Sequence, residues 1–446
     1  MSIFEEIDNQ TNPSTTFWSP PESFALDDIT YHRILVSELK LLKGKNQFKA
    51  RNFILTSSAL YSCKKLTNNP KKMTIVKWKK VEAFTEESST EQRFGFKLGH
   101  RNKFLDFYAE NVDVLEEWLV ALSQVAIMVD IEEDFITDKE IGKGNYASVH
   151  LARDMEKNER YAVKQINKEV VQKSSRGPSA VVSEIEIMRK INHPMIVKLF
   201  RVYENDNFVS LVLDYVEGGS LYTRIQRVEK FSEEDSSKFT RNLLDILNYL
   251  HSMNIVHRDL KPENILMMSN NNNFEFKLCD FGLACIAGDD QVLRCGSPGY
   301  VAPEILLKKA YNNKVDVFSA GIILFIILSG RAPFYGKNSN EILIKNRECK
   351  LLFHQKYWGS ISRECIDLVI KLTEPDPNER PSAELALRHP WLSGSYTAMN
   401  LLTPGIVSTQ ERSPDSGGSY AIFKTVNDRR ELGAEIVFGD LEPAFK

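Results

Sequence analysis

Long apolar stretches are missing from this 446-residue chain: the longest, Ala320 to Leu328, falls far short of the roughly 20 residues that a membrane-spanning helix needs. No transmembrane helix is expected. Cysteine is scarce and scattered; Cys63, Cys279, Cys285, Cys295, Cys349 and Cys365 show no metal-ligand spacing, so reduced thiols in a cytosolic setting are expected rather than a zinc site or a disulfide scaffold. Residues 1 to 29 contain no Lys or Arg but six acids and several Pro, Ser and Thr, which argues against a secretory signal and reads as a disordered leader. There is no internal repeat. The Ser-, Gly-, Thr- and Pro-rich tail after residue 392 contains no calcium loop of the EF-hand type and no basic amphipathic helix suited to calmodulin.

What is present fits a large enzyme. With 42% hydrophobic and 26% charged residues, the chain can bury substantial cores in two or three domains. The net charge of -3 is unevenly spread. Residues 30 to 125 hold 17 Lys and Arg against 10 Asp and Glu, so this segment carries about +7 and the remainder about -10.

The densest chemistry lies in His257-Arg258-Asp259-Leu260-Lys261-Pro262-Glu263-Asn264, followed by Asp280-Phe281-Gly282. A hydroxyl that attacks a phosphoryl group needs a carboxylate to orient it and take its proton, a role suited to Asp259, while Lys261 can neutralise the moving group. Magnesium takes oxygen ligands, which Asn264 and Asp280 supply. Upstream, Ile141-Gly142-Lys143-Gly144 to Val149 reads as strand, glycine turn and strand, and Tyr161-Ala162-Val163-Lys164 as an alternating strand. A helical stretch holding Glu184, Ile185, Ile187, Met188 and Ile191 stops before His193-Pro194, where proline disfavours helix. Downstream stand Gly296-Ser297-Pro298-Gly299-Tyr300-Val301-Ala302-Pro303-Glu304, Asp316-Val317-Phe318, and Arg380.

This order of motifs resembles the protein kinases over roughly residues 135 to 392. The resemblance implies a two-lobed fold that uses ATP and Mg²⁺, with Asp259 and Lys261 catalytic and Asn264 and Asp280 on the metal. It further implies nucleotide contacts from Ile141, Gly142, Gly144, Val149, Ala162, Lys164, Glu184, Asp214, Val216 and Leu266. Within that set Lys164 meets the phosphates and pairs with Glu184, and Val149, Ala162 and Leu266 sandwich the adenine. Met188, Leu199, His257 and Phe281 would stack as an internal spine, Glu304 would pair with Arg380, and Asp316 would fix the catalytic-loop backbone. The chain departs from the pattern at Ala147, which stands for the third glycine, at Phe318, which stands for a tryptophan, and at Ser220, which replaces an acid used by basophilic relatives and leaves only Glu263 of that pair.

Lys261 and Gly296-Ser297-Pro298 resemble the serine/threonine class, and Leu328-Ser329-Gly330-Arg331-Ala332-Pro333-Phe334 with His389-Pro390-Trp391-Leu392 is most like the calcium/calmodulin-dependent group, without implying calcium control. Relatives that need loop phosphorylation carry the acceptor at the position of Leu293, so Arg258 lacks its phosphate partner and activation should come from elsewhere, with Asp289 or Asp290 as acidic substitutes near Arg258. Taken singly, each residue has a plainer account: Lys164 as a solvated strand lysine, Glu184 as a helix surface charge, His257 as a core histidine, the glycines as a hairpin turn. Independent accidents would not place so many matched residues in one order.

The basic segment shows period-2 runs at Ile34 to Leu42, Lys49 to Thr56, Ala59 to Lys64, Met73 to Trp78, Arg93 to Leu98 and Lys103 to Tyr108. A helix over Asn111 to Val125 follows, with Leu115, Trp118, Leu119 and Leu122 on one face. Strands closed by one such helix resemble a pleckstrin-homology domain, a bent seven-stranded barrel plugged by that helix. In its phosphoinositide-binding members the phosphate cup corresponds to Lys43, Lys49 and Arg51, with Lys45 from the loop. The same basic residues also fit simple solvation of one sheet face in a module that binds protein or packs on the kinase. They are not interleaved with exposed aromatics, so no nucleic acid is expected.

The expected fold is multidomain α+β: a disordered leader (1–29), a pleckstrin-homology-like β-barrel with a C-terminal helix (30–127), a short acidic linker (128–134), a two-lobed protein kinase fold (135–392) and a mostly disordered tail (393–446). The expected activity is transfer of the γ-phosphoryl group of ATP to Ser or Thr of a protein substrate by a cytoplasmic enzyme drawn to phosphoinositide membranes. A catalytically weak scaffold or a lipid- or protein-binding adaptor is the alternative.

Overall fold

The computed structural model describes residues 2–5, 16–21, 25–42, 47–65, 69–87, 92–100, 103–144, 146–174, 177–288, 295–393 and 420–422. They form two compact units, Met1–Ile185 with Lys198–Tyr215 and Glu186–Val197 with Val216–Lys446.

Alternation of apolar and polar residues builds the first unit from strands β1 (Arg33–Leu42), β2 (Phe48–Thr56), β3 (Ala59–Cys63), β4 (Lys72–Ile75), β5 (Lys80–Glu87), β6 (Gln92–His100) and β7 (Lys103–Tyr108). β5 carries no clean period-2 signal, because Ala83 and Phe84 stand side by side and Glu86 and Glu87 follow. The helix Val112–Ser123 follows, capped by the Asn111 side chain, which accepts from the Val114 N–H at 2.9 Å. Leu115, Trp118, Ala121 and Leu122 are buried on its inner face. Trp118 is fully buried against Phe96, and its indole N–H donates to the Ser37 hydroxyl at 2.8 Å, so its one polar atom is satisfied. β1 pairs with both β2 and β7, while among the described residues β4 and β5 do not pair with each other, so the strands form a β-rich module without a closed barrel.

The module does not stop at a free linker. β8 (Ile127–Met128) pairs in parallel with β5 and with β12 (Leu199–Glu204). It thereby fuses the module to β9 (Phe135–Lys143), β10 (Ala147–Asp154), β11 (Arg160–Asn167), β12 and β13 (Phe208–Asp214) in one 13-stranded sheet, ordered β4-β3-β2-β1-β7-β6-β5-β8-β12-β13-β11-β10-β9. One apolar core runs through both parts, from Phe53, Phe96 and Trp118 to Phe135, Ala152, Val163 and Val212. The acidic connector is tied down as well: it forms the short helix Ile131–Asp134, and Asp134 accepts from the Tyr203 hydroxyl and pairs with Arg201 at 3.0 Å.

Several parts of the expected disordered leader are packed. Ile3 and Phe4 are buried, Phe17 and Trp18 lie against the module core, Ser19 bridges Met73, and Ala25–Tyr31 is a helix whose Asp28 accepts from Thr56 and Tyr61. Their aromatic and apolar side chains, rather than the acids around them, decide the outcome.

The second unit is mainly helical. The apolar run Ala320 to Leu328 lies inside helix Lys314–Ser329, which is buried from Val315 to Ser329 and packs on helices Glu233–Ser252 and Arg363–Leu372; Gly330 ends it in the left-handed region at φ 67°. Among the described residues, no helix is long and apolar enough to cross a membrane. Ile265–Met267 and Phe276–Leu278 form a hairpin whose Asn-rich loop is held by Arg224, which donates to the Asn272 carbonyl at 2.6 Å and to Asn273 Oδ1 at 2.8 Å. Of the tail, only Tyr420–Ile422 is described beyond Ser393, paired antiparallel with Leu352–His354.

Candidate active site

In the first unit, β9 and β10 present the glycine turn. Gly142 pairs with Val149, and the Gly144 N–H donates to the Ala147 carbonyl at 2.7 Å. A Cβ at either glycine would make only ordinary contacts, no nearer than 3.6 Å. The fold itself therefore tolerates a side chain at both positions. Ile141 is exposed, and Ala162 is buried in register with Leu213. Asp214 ends β13 and its carboxylate accepts from the Lys198 N–H at 2.9 Å.

Lys164 sits centrally on β11, between Val149 on β10 and Leu211 on β13. Its ammonium donates to Glu184 Oε1 at 2.8 Å. Glu184 belongs to helix Gly177–Lys190, which turns Val181, Val182 and Ile185 into an apolar cluster and leaves Glu184 beside the sheet. Both charges are largely shielded, so the pair is screened less than a surface ion pair.

In the second unit, the segment of residues 257–264 is pinned from behind by Asp316. This carboxylate, 1% exposed, accepts from the His257 N–H and the Arg258 N–H at 2.9 Å each and from His251 at 3.0 Å. Burial pushes its pKa up, but His251, His257 and these hydrogen bonds outweigh it and hold the group below the usual carboxylate range. The pinned backbone includes Arg258 at φ 67°, in a region costly for a non-glycine residue. Gly296 fits against this segment: at φ 109°, a Cβ there would come within 2.8 Å of the Arg258 carbonyl.

Asp259, Lys261 and Ser297 form one hydrogen-bonded set. Ser297 donates to Asp259 Oδ1 at 2.7 Å, Lys261 Nζ lies 2.9 Å from Asp259 Oδ2, and Lys261 also donates to the Ser297 hydroxyl at 3.0 Å. Burial lowers the Lys261 pKa, but the carboxylates of Asp259, Asp280 and Glu263 together outweigh this, and the ammonium ends above its ordinary value. Asn264 Nδ2 donates to the Asp259 carbonyl at 2.9 Å and to its Oδ2 at 3.2 Å. Asp280, at φ 63°, begins the turn into Phe281, whose ring lies edge-on to His257 at 5.0 Å. Leu266 lies in the hairpin and bridges Ser220, and Ser220 caps helix Leu221–Val228 by accepting from the Thr223 N–H at 3.2 Å. That capping role gives a local reason for a serine at this position.

Glu304 and Arg380 form a bidentate pair at 2.7 and 3.1 Å, both essentially inaccessible, with the guanidinium over the Phe318 ring at 5.0 Å. Val216 lies in this unit, whereas Asp214 lies in the other. Met188 and Leu199 are likewise divided between the units. The partner that the sequence did not reveal is Tyr311, whose hydroxyl accepts from Arg258 at 3.0 Å; nothing in its local sequence marks it. Asp289, Asp290 and Leu293 lie outside the described residues, as do Lys43 and Lys45.

No group of three or more His, Cys, Asp or Glu suited to a metal is present among the described residues. An Asn and Asp pair would leave the remaining coordination to nucleotide oxygens and water.

The protein kinase domain family matches residues 135–392. The chain is similar to myosin light chain kinase A of Dictyostelium discoideum, 38% identical over 270 residues that make up 60% of this chain and 91% of that protein. It is also 38% identical over 268 residues to probable serine/threonine-protein kinase 2 of Plasmodium falciparum, covering 60% of this chain and 52% of that protein. A calcium/calmodulin-dependent protein kinase of Emericella nidulans is 37% identical over 276 residues, 61% of this chain and 66% of that protein.

Proposed function

The chain belongs to the protein kinase family and is an ATP-dependent protein serine/threonine kinase, and from that premise we propose how its residues divide the work. Asp259 orients the acceptor hydroxyl and takes its proton, and Lys261 compensates charge on the transferred group. The observation that carries this reading is the hydrogen bond from a hydroxyl, that of Ser297, to Asp259 with Lys261 touching both. It is the contact an acceptor serine or threonine would make.

Bound ATP with Mg²⁺ would supply the γ-phosphoryl group and the cation that neutralises it. Asn264 directs its amide nitrogen to Asp259, so its carbonyl oxygen is the atom offered to a cation, together with the Asp280 carboxylate. Lys164, held by Glu184, orients phosphate. Gly142 and Gly144 are free of steric demands from the fold, which supports a ligand as the reason for glycine there. Ile141, Val149, Ala162 and Asp214 in the first unit and Val216 and Leu266 in the second are the remaining residues proposed to contact nucleotide.

The test is phosphate transfer to a generic basic protein by the full chain. Asp259→Asn should keep nucleotide binding and lower transfer by about 10²- to 10⁴-fold. Unchanged turnover would refute the assignment.

For residues 30 to 127 the reading is a pleckstrin-homology-like module that brings the enzyme to phosphoinositide membranes. It is supported by seven strands followed by one helix with an inward Trp118, and by Lys49 and Arg51, which share the face of β2 that carries Phe53 and Leu55. The competing reading, that the module packs on the kinase, is favoured by the shared sheet and core. Vesicle sedimentation separates them. Salt-sensitive binding to phosphoinositide vesicles, lost in Lys49→Ala/Arg51→Ala, supports recruitment; no binding at low ionic strength leaves packing as the function.

A further inference from the structure

Ile3 and Phe4 are 1% and 0% exposed, deep within the first unit. The Phe4 ring lies flat on Trp78, with centroids 5.2 Å apart and planes 5° apart. Both side chains join an apolar cluster that includes Trp78 and Ile127 from the β-rich module and Val181, Val182 and Ile185 from helix Gly177–Lys190. The segment is thus packed between the module and the helix that carries Glu184.

Polar contacts fix the same segment. Glu204, at the end of β12 and fully buried, accepts from the Ser2 hydroxyl and, at 2.7 Å, from the Ile3 N–H. It also pairs with Lys80 of the module at 3.2 Å and with Lys168, just after β11, at 3.1 Å. A buried carboxylate is costly unless its lone pairs are matched, and here part of the matching comes from Ser2 and the Ile3 backbone. Glu204 therefore binds three separated stretches of chain into one junction.

Helix Gly177–Lys190 has an apolar stripe on this cluster and Glu184, one residue before Ile185, at 2.8 Å from Lys164. What the stripe packs against decides where Glu184 stands. We propose that Ser2–Phe4 is a positioning element for phosphoryl transfer, filling the space behind this helix so that Glu184 stays on Lys164. The inference rests on the reading of Lys164 as the phosphate-orienting residue. Ser2, Ile3 and Phe4 act only through Glu184, not on the reacting atoms.

The test uses the full chain. Phe4→Ala should lower kcat by at least about tenfold while the KM for a generic basic acceptor changes by less than about twofold. Amide exchange should quicken selectively in helix Gly177–Lys190, and Phe4→Leu, which retains an apolar filler, should stay near the wild-type rate. A second arm removes residues 1–10 and adds a peptide of residues 2–10: the peptide should restore the rate, and the same peptide with Phe4→Ala should not. Unchanged kcat in Phe4→Ala overturns the proposal. So does a loss of kcat accompanied by uniformly faster exchange through the unit and no rescue by the peptide, which marks a general loss of stability. Full activity of Lys164→Met would instead sink the reading of Lys164, leaving the exchange result to report the hold on the helix by itself.

Discussion

The guanidinium of Arg258 donates to the hydroxyl of Tyr311 at 3.0 Å and to the Leu283 carbonyl at 2.7 Å. Arg258, which the resemblance to loop-phosphorylated kinases would pair with a phosphate, is thus engaged by neutral acceptors from its own unit. Leu293, at the position of the usual phosphoacceptor, carries no hydroxyl.

Phosphatase-treated protein should therefore keep its activity, and Tyr311→Phe should lower it. Removing an acceptor from a charged donor costs about 1.5–3 kcal/mol where the donor stays buried, which sets the scale of the effect. Intact mass with a rate assay checks both; loss of activity on dephosphorylation would return Ser297 or Tyr300 to consideration as the switch.

Lys164→Met removes the cation that pairs with Glu184 at 2.8 Å in the first unit. Transfer should fall by about 10²-fold or more, the usual scale for losing a preorganised charge at a reacting group. The variant also leaves Glu184 buried without that cation, so stability should fall as well; a melting midpoint that stays above the assay temperature, measured beside the rate, separates a chemical from a folding defect.

Arg380→Met should destabilise the second unit by about 3–5 kcal/mol, because it leaves the Glu304 carboxylate buried without its bidentate partner. The double variant Arg380→Met/Glu304→Gln should recover part of that loss. Urea titration of the full chain reads both; an additive double variant would mean that the two side chains act separately.

Asp316→Asn should cost about 1.5–3 kcal/mol, since a charged acceptor of two backbone N–H groups becomes neutral. The pH dependence has a definite sign. The folded pKa of Asp316 is depressed, so its contribution is present above the unfolded carboxylate value of about 3.9 and is lost as pH falls through the folded value. The stability gap between wild type and variant should be constant near neutrality and close in acid. A gap that widens on acidification would contradict the assignment.

Much of the site was legible in the residues. Asp259, Lys261, Asn264 and Asp280 lie within one short stretch, so a local order of residue types carries their chemistry, and helix Val112–Ser123 followed from the spacing of Leu115, Trp118 and Leu122. Pairings over long separations were reachable only through resemblance, as for Glu304 with Arg380. Tyr311 beside Arg258 was not reachable at all, because neither residue carries a local mark of the other.

The sequence by itself determined the reaction class and the periodicity of most elements, since both depend on residue type and near-neighbour spacing. Tertiary structure alone decided that the β-rich module and β9–β13 share a sheet through the two residues Ile127 and Met128. It also decided that Ser2–Phe4 is buried against Trp78 and Glu204 rather than solvated. A two-residue strand is too short to show a period, and the three residues Ser2, Ile3 and Phe4 have no pattern that names their partner. Both were settled by the unpaired strand edge, the apolar pocket and the buried carboxylate that the rest of the chain brings to them.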